Sequence, residues 1–375
     1  MKTKLSSSSA GGLSSHRLSV ATSALQIYRE VVISTQSLGK KLAMYTTPKF
    51  NIAIALVMFL ALFSKSVLSS ADDNEVEVAV ANNRPIVGIL SQEIQNTSTV
   101  QKQYKSFISA SYVKFLEGAG ARVVPIWINR TRPYYEYITS HINGVLFPGG
   151  SSDFNAKNGY ADAGAIIYDI AKKLNAKGDY FPLWGTCLGL ELLAYLGANK
   201  TNPLTLCQSG NVNLNLDLLS GYNRSKLFGS ASKEIINILS NEKVLINFHR
   251  YCLTQENVTQ FMGDINWRIM STNKDSNGLK FVSTIESRNF PAYGVQFHPE
   301  KSIFEWNPVQ KTAHSSNAVK AAQYFANFFV NEARKSTHAF PSIAEETKAL
   351  IYNFSPQYKG REKNYFNEQM YYFEW

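Results

Sequence analysis

The stretch Pro182-Leu183-Trp184-Gly185-Thr186-Cys187-Leu188-Gly189-Leu190-Glu191-Leu192-Leu193 decides the reading of this chain. An apolar, strand-like run ends in a tight turn, and a helix-forming run follows at once. That is the layout of a nucleophile elbow with cysteine in place of serine. The turn lifts the sulfur above the edge of a sheet. The helix that starts there aims its free N–H groups and the positive end of its dipole at the sulfur, which is expected to lower the thiol pKa. Gly185 and Gly189 leave room for the backbone to bend and for a substrate to approach. A lone cysteine at a helix start is more often a buried structural residue, so the assignment needs support from elsewhere.

Two distant segments supply it. In Asn143-Gly144-Val145-Leu146-Phe147-Pro148-Gly149-Gly150 an apolar strand runs into Pro-Gly-Gly, which exposes backbone N–H groups at its carboxyl end. Such groups can hold a developing oxyanion. In Ala292-Tyr293-Gly294-Val295-Gln296-Phe297-His298-Pro299-Glu300 an alternating strand delivers His298 at its end, with Glu300 two residues later. Cys187, His298 and Glu300 are the residue types of a nucleophile, a general base and an orienting carboxylate. The backbone N–H groups of Gly150 and Leu188 are the candidate oxyanion donors.

These three segments resemble the class I glutamine amidotransferase superfamily. Within it, four stretches are most similar to the gamma-glutamyl hydrolase family: Arg84 to Leu90, Trp184 to Glu191, Asn247-Phe248-His249-Arg250, and His298-Pro299-Glu300-Lys301 with Glu305-Trp306 beyond. The likeness covers residues 84–335. It implies a cysteine hydrolase that cleaves γ-glutamyl bonds of folyl- and antifolyl-poly-γ-glutamates through a thioester, with no cofactor. It also carries over Glu191, one turn after Cys187 on the same helix face, as a residue associated with activity. His249 is carried over as a residue that lines the cleft and touches substrate. Arg250 falls where the family varies and receives no role. The substrate is polyanionic, so a Lys or Arg such as Lys301 must approach it. Family members are often homodimers, which makes a homodimer the expectation here. The alternatives are a glutaminase component of a glutamine amidotransferase and a non-enzymatic relative. The leader and sequons described below argue against the first, and retention of all three catalytic residue types against the second.

The 375 residues suffice for one sizeable core but not for several large domains. The net charge of +10 invites a nucleic-acid reading, but residues 1–70 hold eight Lys/Arg and one acidic residue, Glu30. The remainder has 30 basic against 27 acidic residues and no basic run with interleaved aromatics, so nucleic acid is excluded as a partner.

Ile52 to Phe63 is a twelve-residue apolar run, short of the roughly 20 residues that a membrane span needs. Lys49 precedes it, and Val67-Leu68-Ser69-Ser70-Ala71 offers small residues for cleavage. Residues 44–71 therefore read as a signal peptide, leaving no stable span in the mature form. Residues 1–43 read as an upstream extension, with Met44 the preferred start and a signal anchor the competing reading. Six sequons, at Asn96, Asn129, Asn199, Asn223, Asn257 and Asn353, fit a glycosylated lumenal protein. The expected destination is a lysosome, a vacuole or the extracellular space. Besides Cys187 there are two cysteines, Cys207 and Cys252, which either pair or pack reduced. No Cys/His spacing suggests a metal site.

Past a linker at residues 72–83, the body alternates strands and helices. Strands are expected at Ile86–Leu90, Ala121–Trp127, Val145–Phe147, Tyr180–Trp184, Val244–Phe248, Phe281–Ile285 and Tyr293–Phe297. Helices are expected at Lys105–Glu117, Tyr134–Ser140, Ala161–Leu174 and Ser315–Ala333, the last with Val319, Ala322, Phe325, Ala326 and Phe329 inward. Asn199 to Asn241 reads as loop. The pattern predicts an α/β fold, a mostly parallel central sheet with helices on both faces, whose ligands bind at the carboxyl ends of the strands. Residues 84–335 form the catalytic domain, and the aromatic tail 336–375 is expected to pack back on it or on a partner.

Overall fold

Alternation of apolar side chains across a pleat lets one strand serve two cores. In β1 (Ile86–Leu90), Val87 and Ile89 enter one buried cluster while Ile86 and Leu90 enter the other. The computed structural model describes residues 81–94, 103–362 and 365–374, all within one compact unit, Ala79–Trp375. The extension at 1–43, the signal peptide at 44–71 and most of the linker lie outside the described residues. No described helix is long and apolar enough to cross a membrane.

The strands that follow are β2 (Gln92–Glu93), β3 (Ser106–Ser109), β4 (Arg122–Ile126), β5 (Val145–Phe147), β6 (Leu183–Thr186), β7 (Leu204–Leu214), β8 (Asp217–Leu218), β9 (Leu245–Leu253), β10 (Trp267–Lys274), β11 (Lys280–Ser287), β12 (Ala292–Val295), β13 (Gln357–Tyr358) and β14 (Gln369–Phe373). The main sheet has the order β4-β1-β5-β6-β12-β11-β10-β8. Its first five strands are parallel, and the last three continue antiparallel. Four helices matter for the site: α1 (Ala110–Glu117), α2 (Tyr160–Ala176), α3 (Leu188–Gly197) and α4 (Ser316–Ala333). α1 and α4 cover one face of the sheet; α2 and α3 cover the other. This is the α/β architecture expected from the alternation.

Several elements differ from the local reading. Lys105–Glu117 is not one helix: its first part is β3, and the helix begins at Ala110. The cause is tertiary, because β14 from the far end of the chain pairs antiparallel with β3, Met370 opposite Ser109 and Phe373 opposite Ser106. Asn199 to Asn241 is not loop either. It holds β7, which forms a hairpin-like two-stranded sheet with β9, and a helix at Lys233–Asn241. One side of β7 is open to solvent, so its polar residues carry no strand-like hydrophobic signal. β10 escaped notice for a similar reason: Ser271, Thr272 and Asn273 are polar yet buried. In α4 Ser315 caps the helix by accepting the Ala318 N–H, and Ala322, Phe325, Ala326 and Phe329 face inward. Val319 does not; it is exposed. Cys207 and Cys252 form a disulfide that ties β7 to β9.

The elbow depends on close backbone packing. A Cβ at Gly189 would lie 2.0 Å from the Phe147 carbonyl oxygen and 2.8 Å from its carbonyl carbon. Neither atom can move without displacing β5. Gly189→Ala is therefore expected to lower stability by about 3 kcal/mol, read as a reduced midpoint in urea unfolding; an unchanged midpoint would contradict this packing.

Candidate active site

Cys187 occupies the one-residue turn between β6 and α3. Its φ of 51° and ψ of −107° put a non-glycine residue in a sparsely populated region. The turn is held from both sides. The Cys187 N–H donates to the Val295 carbonyl at 2.8 Å, and the Cys187 carbonyl accepts the Glu191 N–H at 3.0 Å. A β-branched or bulky residue is disfavoured here, and the cost of the conformation is met by the flanking strand and helix.

His298 arrives from β12 on the adjacent strand, with its own N–H bonded to the Ile246 carbonyl of β9 at 2.9 Å. Its Nδ1 lies 2.7 Å from Glu300 Oε1 and 3.3 Å from Tyr112 Oη. All three side chains are buried. Both partners fall on Nδ1, which leaves Nε2 as the nitrogen for proton exchange. Cys187 and His298 approach each other across Gly149: a Cβ there would lie 2.6 Å from His298 Cε1 and 3.1 Å from Cys187 Cβ. The third side of the site is Pro148-Gly149-Gly150. Gln92 Nε2 and Tyr160 Oη donate to the Pro148 carbonyl, at 3.3 and 2.9 Å, and the Gly149 N–H donates to Tyr112 Oη at 2.8 Å. Since Tyr112 takes the Gly149 N–H, Gly150 is the glycine left to face a ligand. Cys187, Leu188, Gly149, Gly150, Glu191, His249 and His298 all line one cavity of about 770 Å³. Glu300 does not line it but bonds to His298, so each catalytic, oxyanion and substrate-binding candidate read from the sequence lies at the cavity or one hydrogen bond from it.

The electrostatics differ from the expectation. The helix start does act on the thiol, since the Leu188 N–H bonds to it and lowers its pKa, as does Lys301 through charge. Burial outweighs both and pushes the Cys187 thiol well above its usual value, with the Glu191 and Glu300 carboxylates adding to the rise. The resting sulfur therefore keeps its proton. Burial also raises Glu191 to about 7, opposed by a hydrogen bond from Gln296. Gln296 Nε2 donates to Glu191 Oε1 at 3.0 Å and lies 3.9 Å from Cys187 Sγ, joining carboxyl and thiol. Tyr112 and Gln296 were both missed as site residues. Gln296 had a signal, being two residues before His298 and so on the same strand side; Tyr112 had none beyond its place on an apolar helix face.

His249 is buried. Its Nε2 lies 3.1 Å from Asn247 Oδ1, and its Nδ1 lies 3.1 Å from the Tyr251 carbonyl and 3.3 Å from Cys252 Sγ. Burial drives its pKa down to about 3, so the ring is neutral. Cys207, His249 and Cys252 are also the one group of described residues with metal-ligand proximity, but the disulfide occupies both sulfurs. Of the sequons, Asn129, Asn199, Asn223 and Asn353 are exposed, Asn257 is half-buried, and Asn96 lies outside the described residues. The amide nitrogen of Asn353 donates to the carbonyls of Thr347, Lys348 and Leu350, and that of Asn257 to Thr205 Oγ1 and the Pro203 carbonyl. A glycan would replace one amide hydrogen at each, so Asn129, Asn199 and Asn223 are the better placed acceptors.

A carboxylate raises the pKa of a neighbouring thiol by charge. Glu191→Gln removes that charge and should move the pH midpoint of Cys187 alkylation by iodoacetamide to lower pH. The same change bears on stability. A carboxyl raised from 4.5 to about 7 on folding binds more protons in the folded state. Its neutral form favours the fold below pH 4.5, and that contribution fades as pH rises through 7. Urea titrations across this window should show a shallower fall in stability for Glu191→Gln than for the parent.

Residues 85–300 match the family model described as Peptidase C26. The gamma-glutamyl hydrolase of Bos taurus is 43% identical over 292 residues, spanning 78% of this chain and 90% of that one. The Homo sapiens gamma-glutamyl hydrolase is 42% identical over 298 residues, with the same coverage of 78% and 90%. Gamma-glutamyl hydrolase B of Dictyostelium discoideum is 38% identical over 320 residues, 84% of this chain and 90% of that one. The family match spans more than half of the sequence and contains the elbow cysteine, the strand-end histidine and the carboxylate beside it; the chain belongs to the peptidase C26 family.

Proposed function

We propose that this protein is a gamma-glutamyl hydrolase that cleaves folyl and antifolyl poly-γ-glutamates, with Cys187, His298 and Glu300 as its catalytic residues. The observation that carries the reading is the shared cavity, where a buried thiol stands near a His–Glu pair and the Gly150 and Leu188 backbone. The names of the similar proteins support the choice of bond.

In this reading His298 Nε2 removes the thiol proton as Cys187 Sγ attacks the γ-carbonyl carbon. The tetrahedral oxyanion is stabilised by the N–H groups of Gly150 and Leu188. The imidazolium gives its proton to the departing α-amino nitrogen, the C–N bond breaks, and a thioester remains. Water, deprotonated by the same nitrogen, attacks the thioester carbonyl; the C–S bond breaks and the sulfur recovers a proton. Glu300, bonded to Nδ1, fixes the tautomer and stabilises the imidazolium. Glu191 sets the charge around the sulfur. His249, neutral and rigidly held, shapes the wall that substrate touches. Glu191, raised to about 7, is neutral at acidic pH and there no longer opposes the thiolate, which fits activity at acidic pH. That in turn fits delivery through the secretory pathway to a lysosome, a vacuole or the extracellular space, with residues 44–71 as signal peptide, 84–335 as catalytic domain and glycans at exposed sequons.

Mass spectrometry of products from a defined pteroyl pentaglutamate tests the reading. Shortened pteroyl glutamates and released glutamate or γ-linked glutamate peptides are expected. Cys187→Ala should lower kcat by at least about 10³-fold, and iodoacetamide should abolish turnover. Ammonia released from free glutamine, with the pentaglutamate left intact, would point to a glutaminase instead.

A further inference from the structure

A γ-linked glutamate chain carries one free α-carboxylate per residue, so a cavity that selects it needs a cation whose charge is not already spent. Three Lys or Arg side chains line the cavity: Arg250, Lys301 and Lys359. Lys301, the cation named from sequence, is buried; its Nζ donates to Asn367 Oδ1 at 3.1 Å and lies 4.4 Å from the centre of the Phe366 ring. Lys359 pairs with Glu362 and lies 5.4 Å from the centre of the Tyr372 ring. The Arg250 guanidinium is exposed and makes no hydrogen bond or ion pair with another described residue.

Its position follows from the strand. Residues two apart on β9 share a side, so Arg250 stands on the side of Phe248, about 7 Å further along. The Phe248 ring packs edge-on against the His298 ring at 5.9 Å and against Phe366 at 5.2 Å. Arg250 therefore neighbours the ring that packs on the imidazole. It also stands where the main cavity meets a second, smaller one of about 350 Å³, both of which it lines. A guanidinium there offers a planar fork of donors that matches a carboxylate.

The geometry points to Arg250 as the residue that binds an α-carboxylate of the γ-linked glutamate chain, which makes it a determinant of specificity for polyanionic over neutral γ-glutamyl substrates. This rests on the γ-glutamyl reading above.

The test compares Arg250→Gln and Arg250→Lys with the parent protein on two substrates: a pteroyl γ-linked triglutamate with free α-carboxylates, and its counterpart with the α-carboxylates converted to carboxamides. Arg250→Gln should raise KM for the free acid about tenfold, the scale of one charge-assisted hydrogen bond, with kcat changed far less. On the carboxamide its KM should equal the parent's. Arg250→Lys, which keeps the charge but loses the fork, should fall between. Because the side chain is exposed, neither variant should lose folding stability. An unchanged KM on the free acid, or an equal loss on both substrates, overturns the assignment of Arg250. If the parent cleaves neither substrate, it is the proposed function that fails.

Discussion

The turn at Cys187 is the constraint on which the rest of the site depends. A single residue with positive φ carries the chain from the end of a central parallel strand into a buried helix. Such a reversal is possible only where the following helix can lie directly against the sheet, and Gly189 allows this by bringing α3 onto the Phe147 carbonyl. Once the helix is seated, the sulfur must stand at the carboxyl edge of the sheet. The Leu188 N–H must then face it, and Glu191 must rise one turn later on the same side. The neighbouring strands on either side bring Pro148-Gly149-Gly150 and His298 to the same edge.

The electrostatic character of the site is set by depth more than by the helix dipole. A buried thiol, the buried Glu191 carboxyl and two buried tyrosines share a region in which ionisation is costly. The helix start and Lys301 offset only part of that cost. The resting thiol and tyrosines therefore hold their protons. The Gln296 bridge couples the protonation of Glu191 to the sulfur without any direct bond between carboxyl and thiol.

The C-terminal segment is part of the site rather than an appendage. β14 extends a second sheet through β3, which leads directly into the helix that holds Tyr112. Glu305 accepts the Glu368 N–H, Gln310 donates to the Phe366 carbonyl, and Lys301 reaches Asn367. These bonds fasten residues 366–368 to the stretch just beyond Glu300. They place aromatic rings from the end of the chain across from the elbow, and the cavity acquires a wall.

The elbow, the Pro-Gly-Gly turn and the strand-end His298 with Glu300 were legible in the sequence because each is a local device. A strand end, a small-residue turn and a helix start leave signals within ten residues, and the parallel order follows from their alternation. The pairing of Cys207 with Cys252, the strand at Ser106–Ser109, and the assembly of Tyr112, Arg250 and Phe366 around one cavity were decided by the tertiary structure alone. Partners more than a hundred residues apart choose a strand over a helix through backbone pairing. Burial, which depends on everything packed around a group, reverses what a helix start alone would do to a thiol.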